Sequence, residues 1–185
     1  MYWPERGPAN TEATIEAALK RAAEIGASKI VVASNSGATA EKLFEQGKGK
    51  GPGIVCVTHH VGFTGPGEDE MPAETRQALK EKGVAVLTTT HLLAGAERGL
   101  RNKFQGAYPA EIIANTLRLL GQGLKVCVEI SVMALDAGLI PYGEEIVAVA
   151  GSGGGADTAA VITPAHSNHF FDSVVKEIIC MPREK

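Results

Sequence analysis

Three stretches of this chain place small, hydroxyl-bearing and glycine residues where a ligand can meet open backbone. The first, Ser34-Asn35-Ser36-Gly37-Ala38-Thr39, lies between the apolar run Lys29 to Ala33 and a helical pattern. A turn entering a helix leaves the first N–H groups without partners, and the helix dipole favours negative charge beside them. Gly37 has no Cβ to obstruct an approaching oxygen. The expected ligand group is a phosphate; the alternative is that Asn35 and Ser36 only cap the helix. The second stretch, Gly151-Ser152-Gly153-Gly154-Gly155-Ala156-Asp157-Thr158, has four glycines in five positions. That entropy cost suits a ligand loop better than a plain connection. No Walker Gly-Lys-Ser/Thr follows, and the dinucleotide spacing is met only loosely. Asp157 and Thr158 are expected to hold the polar part of the ligand, unless Asp157 only orders the turn.

The third stretch, Thr58 to Glu70, is long for a connection and carries glycines at 62, 65 and 67. It is expected to close over the ligand, with Thr58 and Gly62 in its wall and His59 or Phe63 beside a flat ring. His59 and His60 near three acids suggest a metal, but adjacent side chains point apart and spacing places no third ligand, so none is expected. Glu129, inside the apolar run Val126 to Met133, either faces solvent or accepts a hydrogen bond from a ligand hydroxyl or ring N–H. No Gly-x-Ser-x-Gly elbow is present, and no catalytic residue is identified.

Alternating strands and helices must position these loops. Ile15, Ala18, Leu19, Ala22 and Ile25 recur at helical spacing up to Gly26, and a second helix runs from Ala38 to Gln46. Strands are expected at Lys29 to Ala33, Gly53 to Thr58, Val84 to Thr88 and Glu145 to Ala150, with helices at Pro72 to Lys82, Tyr108 to Leu120 and Leu124 to Leu139. This order predicts an α/β three-layer sandwich around a mostly parallel sheet. Thr158 to Thr163 and Glu177 to Cys180 are close enough to form an antiparallel edge, which makes the sheet mixed.

The 185 residues, 44% of them hydrophobic, fit one domain with a substantial core. A net charge of -3 with scattered lysines and arginines argues against nucleic acid. No apolar run reaches membrane-spanning length and no signal core follows Met1, so the expectation is a cytoplasmic protein without membrane partners. Cys56, Cys127 and Cys180, each among apolar neighbours, read as buried thiols.

The segments Asn10-Thr11-Glu12, Val31 to Ser34, Gly123 to Ile130, Gly154 to Ala159 and Phe170-Phe171-Asp172 resemble the small stand-alone prokaryotic branch of the pyruvate kinase C-terminal domain-like family. A looser resemblance to pyruvate kinase itself covers Ser36-Gly37, and Ala137-Gly138 with the strand Gly143 to Gly151. The resemblance implies that fold, flavin mononucleotide (FMN) from the stand-alone branch, and a phosphorylated sugar effector from pyruvate kinase. It does not imply kinase activity, because the catalytic barrel has no counterpart here. The first loop also lacks the lysine and arginine that hold the enzyme's effector, so neutral donors are expected to hold a single phosphate. Two readings follow: an FMN protein, with flavin-dependent oxidoreductase activity and homo-oligomer formation left open, or a non-catalytic sugar-phosphate or nucleotide module.

Overall fold

The structure, a computed structural model, describes residues 1–48 and 51–184. Its elements are β1 (Tyr2–Trp3), α1 (Thr11–Ile25), β2 (Lys29–Ala33), α2 (Ala38–Gln46), β3 (Gly53–Val57), α3 (Ala73–Glu81), β4 (Ala85–Leu87), α4 (Gly95–Phe104), α5 (Pro109–Leu117), α6 (Gln122–Asp136), β5 (Ile146–Ala150), β6 (Thr158–Thr163) and β7 (Val174–Pro182). They build one seven-stranded sheet in the order β1-β7-β6-β5-β2-β3-β4. The central strands β5, β2, β3 and β4 are parallel, whereas β6 runs antiparallel to both β5 and β7. The expected mixed α/β sheet is therefore present.

Period-two alternation sorts the core into two layers. Ile30, Val32, Val147 and Val149 pack with Ile15, Ala18 and Ala22 of α1, Leu43 of α2 and Leu79 of α3. Val31, Ile146, Ala148 and Ala150 pack on the other face with Leu124, Cys127, Ile130 and Ala134 of α6. Because both faces are covered, β5 reads as an unbroken apolar run, buried throughout. Burial pushes the Cys56 thiol up to about 12 and raises Cys127 and Cys180 as well, which makes all three poor nucleophiles. No helix of the described residues is long and apolar enough to cross a membrane.

Several boundaries differ from the sequence expectation. Helix α4 was not expected; its short i, i+4 stripe of Ala96, Leu100 and Phe104 is interrupted by two glycines and stays unburied, with Leu100 and Phe104 exposed. The helix expected up to Leu120 is α5 followed by a 3-10 turn, Arg118–Leu120. The one expected to reach Leu139 ends at Asp136, because Gly138 turns left-handed at φ 69° and Leu139 N–H reaches back to Ala134 O at 3.0 Å. Strand β7 starts at Val174 rather than Glu177, and its far end pairs with the two-residue β1.

Candidate functional site

The chain runs outward from β2 to β3 and β4, then returns to place β5 on the opposite side of β2. In open α/β sheets, such a reversal opens a crevice at the carboxyl ends of the strands. A cleft of about 790 Å³ occupies that position, lined by residues of all three loops singled out above, including Ser34, Asn35, His59, Phe63, Gly153 and Gly154. Its volume falls in the range of small-ligand sites, roughly 300–1,000 Å³. The segment Thr58 to Glu70 thus lies on the same edge of the sheet as the other loops.

In the first loop, Ser34 Oγ accepts the N–H groups of Thr39 and Ala40 at 3.1 and 3.4 Å. Ser34 is therefore the residue that caps α2, and it consumes two helix donors rather than adding one. Among the described residues the N–H groups of Ser36, Gly37 and Ala38 have no acceptor. Ser36, Ala38 and Thr39 line the cleft, but Gly37 does not. Its φ is +93°, and a Cβ there would lie 2.5 Å from Thr75 Cγ2 on α3. Glycine is required at this position by the turn and by α3, not by an approaching oxygen, which corrects the reason given from sequence.

The second wall is held by polar contacts to the first. His59 N–H donates to Asn35 Oδ1, Asn35 Nδ2 lies 3.2 Å from His59 Nε2, and Glu70 Oε2 lies 2.6 Å from His59 Nδ1. Phe63 stacks on the His59 ring at 3.7 Å between centroids, and His91 lies 5.3 Å away. Thr58 is 3% exposed and shares a 2.7 Å hydrogen bond with Thr88, tying the ends of β3 and β4 together. Gly62 lies outside the cleft lining and serves the loop's own fold, donating to Glu68 O at 2.8 Å.

The glycine loop closes the third side. Gly151, Gly153, Gly154 and Gly155 line the cleft, whereas Ser152, Asp157 and Thr158 do not. Gly155 passes so near the start of α1 that a Cβ would meet Thr11 Oγ1 at 2.2 Å, and Thr11 Oγ1 accepts Ala156 N–H. Asp157 is fully buried and accepts Gly7 N–H at 2.9 Å, Ser152 N–H at 3.2 Å and Thr158 Oγ1–H at 2.8 Å. Thr158 packs under Gly123 of α6. The expectation that Asp157 and Thr158 hold the ligand's polar part is therefore corrected: their polar groups are spent on binding the loop to the N-terminal segment. Asp157→Ala is expected to cost about 2–3 kcal/mol in a urea melt through orphaned donors. An unfolding midpoint equal to wild type shows that those donors find water instead.

A family model described as pyruvate kinase, alpha/beta domain, matches residues 12–162. The chain belongs to that family. Solved structures of pyruvate kinase from Cryptosporidium parvum are similar to it: one at 18% identity and TM-score 0.43, covering 85% of this chain and 23% of that one. Another, in complex with ADP, matches at 19% identity and TM-score 0.40, covering 78% of this chain and 21% of that one. The chain thus spans under a quarter of the length of these pyruvate kinases, at most 23%.

In this member of the pyruvate kinase alpha/beta domain family, the cleft also holds cations that the loop sequences did not reveal. Lys42, Arg98, Arg118 and Lys125, from α2, α4, the turn after α5 and α6, all line it. Arg118 is held by neutral partners, Gln122 Oε1 at 2.7 Å and Asn115 Oδ1 at 2.9 Å. Among the described residues neither Arg98 nor Arg118 is within ion-pair distance of a carboxylate. The cleft therefore offers cationic side chains beside the neutral donors of the first loop.

Glu129 does not face solvent. It is 4% exposed, lines the cleft, pairs with the buried Lys125 ammonium and accepts Leu93 N–H at 2.8 Å. The signal in the sequence was Lys125 four residues before Glu129 in an apolar helix, the spacing of an ion pair. Beside it, burial holds His91 below the ordinary imidazole range, and the neighbouring His59 and His60 act in the same direction against the pull of Glu129.

Proposed function

We propose that the cleft binds a phosphorylated ligand carrying a flat ring, and that FMN is this ligand. The observation that supports the reading is the pairing of two unlike sets of groups in one cleft. The cleft is lined by the open N–H groups of the α2 turn, Arg98 and Arg118, and also by the layered rings of His59, Phe63 and His91, the first of which is tied to that turn through Asn35. Charge-assisted donors suit a phosphate, and stacked rings suit a planar apolar body. Ser36, Ala38, Thr39 and Arg118 would hold the phosphate, and Phe63, stacked on His59, the ring, with Glu129 available to a ring N–H. A bound flavin supplies electron transfer, while the protein supplies orientation and a desolvated pocket.

A colourless sugar phosphate or nucleotide is the second reading. It is favoured by the cationic lining, since Arg98 and Arg118, neither paired with a carboxylate among the described residues, can balance more than one phosphate charge. Titration of the purified protein with FMN, followed by flavin fluorescence, separates the two. The first reading expects one-to-one quenching and far weaker binding of riboflavin, which lacks the phosphate. Equal affinity for both flavins removes the phosphate from the site, and no quenching removes the flavin.

A further inference from the structure

We propose that His59 is a phosphate ligand of the cleft that takes up a proton when a phosphomonoester dianion binds. The inference rests on the phosphate half of the reading above and is independent of the flavin ring. Asn35 Oδ1 accepts the backbone N–H of His59 at 3.2 Å, which fixes the orientation of the amide and turns its NH₂ toward the ring. A donor facing Nε2 requires a lone pair there. The single ring proton is then on Nδ1, where Glu70 accepts it at 2.6 Å. Phe63, stacked at 3.7 Å, holds the ring plane. The ring thus turns Nδ1 to Glu70 and presents Nε2 as an acceptor, capped only by an exchangeable amide donor.

Asn35 immediately precedes Ser36, Gly37 and Ala38, whose N–H groups are open. An anion received by those groups lies beside the Asn35 amide and the nitrogen it covers. A dianion has only lone pairs to offer, and against a second lone pair at Nε2 it is repelled. A proton taken from the buffer onto Nε2 converts that repulsion into an N⁺–H···O⁻ hydrogen bond, the stronger class. The new N–H bond costs the Asn35 contact, and the freed amide turns its donor to the same anion. Nδ1–H stays on Glu70, whose carboxylate stabilises the imidazolium behind it.

The surrounding charges allow the cation to form at this ring. On its own loop are Glu70 and His60; His91 approaches from the segment after β4; and the Lys125–Glu129 pair of α6 reaches that segment through Leu93 N–H. Asp69 and Arg76 pair at 2.7 Å between the loop and α3. Glu70 is the carboxylate in direct contact with His59, whereas burial lowers the proton affinity of His91, so His59 is the ring placed to take the proton. The site then prefers phosphomonoesters, which carry a second negative charge near neutral pH, over diesters and carboxylates.

Isothermal titration at about pH 7.5 in two phosphate-free buffers of unlike ionisation heat counts the protons. With FMN as the probe, the expected result is net uptake approaching one proton. His59→Gln is expected to abolish the uptake and weaken binding roughly tenfold to a hundredfold. Glu70→Gln should keep the fold and reduce the uptake. If FMN binds without uptake, or with uptake unchanged in His59→Gln, the proposal is overturned. If FMN does not bind, the flavin reading fails alone and inorganic phosphate becomes the probe: uptake that depends on His59 supports the proposal. Phosphate that binds without such uptake, or does not bind at all, overturns it.

Discussion

Glu129→Ala is expected to lower the unfolding free energy by about 3–5 kcal/mol, enough to consume much of the stability of a domain of this size. Glu129 and Lys125 are 4% and 7% exposed, so removing the carboxylate leaves an ammonium in a poorly hydrated place. It also strips the acceptor from Leu93 N–H, which is buried with it. Glu129→Gln keeps an oxygen for Leu93 and loses only the charge, so its cost should be smaller. Replacing both partners, Lys125→Met with Glu129→Leu, removes both desolvated charges and should recover most of the loss, though Leu93 N–H stays unpaired. Urea melts of the wild type, the double variant and its two single variants, Lys125→Met and Glu129→Leu, give the coupling directly. If Glu129→Ala unfolds within about 1 kcal/mol of wild type, Lys125 reaches water through the cleft and the pair contributes little.

The strands and most helices were legible because β2, β3 and β5 are short apolar runs and α1 carries a clear stripe ending at Gly26, which adopts φ 65° as a helix stop. The place of the site followed from topology, since loops after parallel strands share one edge. What the sequence could not show was direction. Asp157 and Gly151 sit in one loop, yet only Gly151 lines the cleft while Asp157 turns inward to Gly7, more than a hundred residues away along the chain. Arg98 and Arg118 were missed for a related reason: they lie on α4 and the turn after α5, elements whose burial is slight and whose relation to the first loop is purely tertiary. Lys125 was missed as well, although its place four residues before Glu129 in an apolar helix was a readable signal of the buried ion pair.

The same distinction decides what Gly37 does. Gly37→Ala is expected to destabilise the protein by about 2–5 kcal/mol, from two separable causes. The residue adopts φ +93°, where a side chain is strained whatever the space around it, at about 1–2 kcal/mol. The added Cβ also meets Thr75 Cγ2 at 2.5 Å, with Leu79 Cδ1 at 3.3 Å behind it, so α3 or the turn must shift. Shortening the neighbour removes the overlap but not the strain: in a Thr75→Ser background the same substitution should lose only the first part. Because the Cβ heads toward α3 and not into the cleft, the folded double variant should quench FMN as the Thr75→Ser protein does. Equal losses in both backgrounds mean that the turn relaxes away from α3 and the backbone angle alone makes glycine necessary. A folded double variant that no longer binds FMN, beside a Thr75→Ser protein that does, means instead that the shape of this turn is itself part of the ligand site.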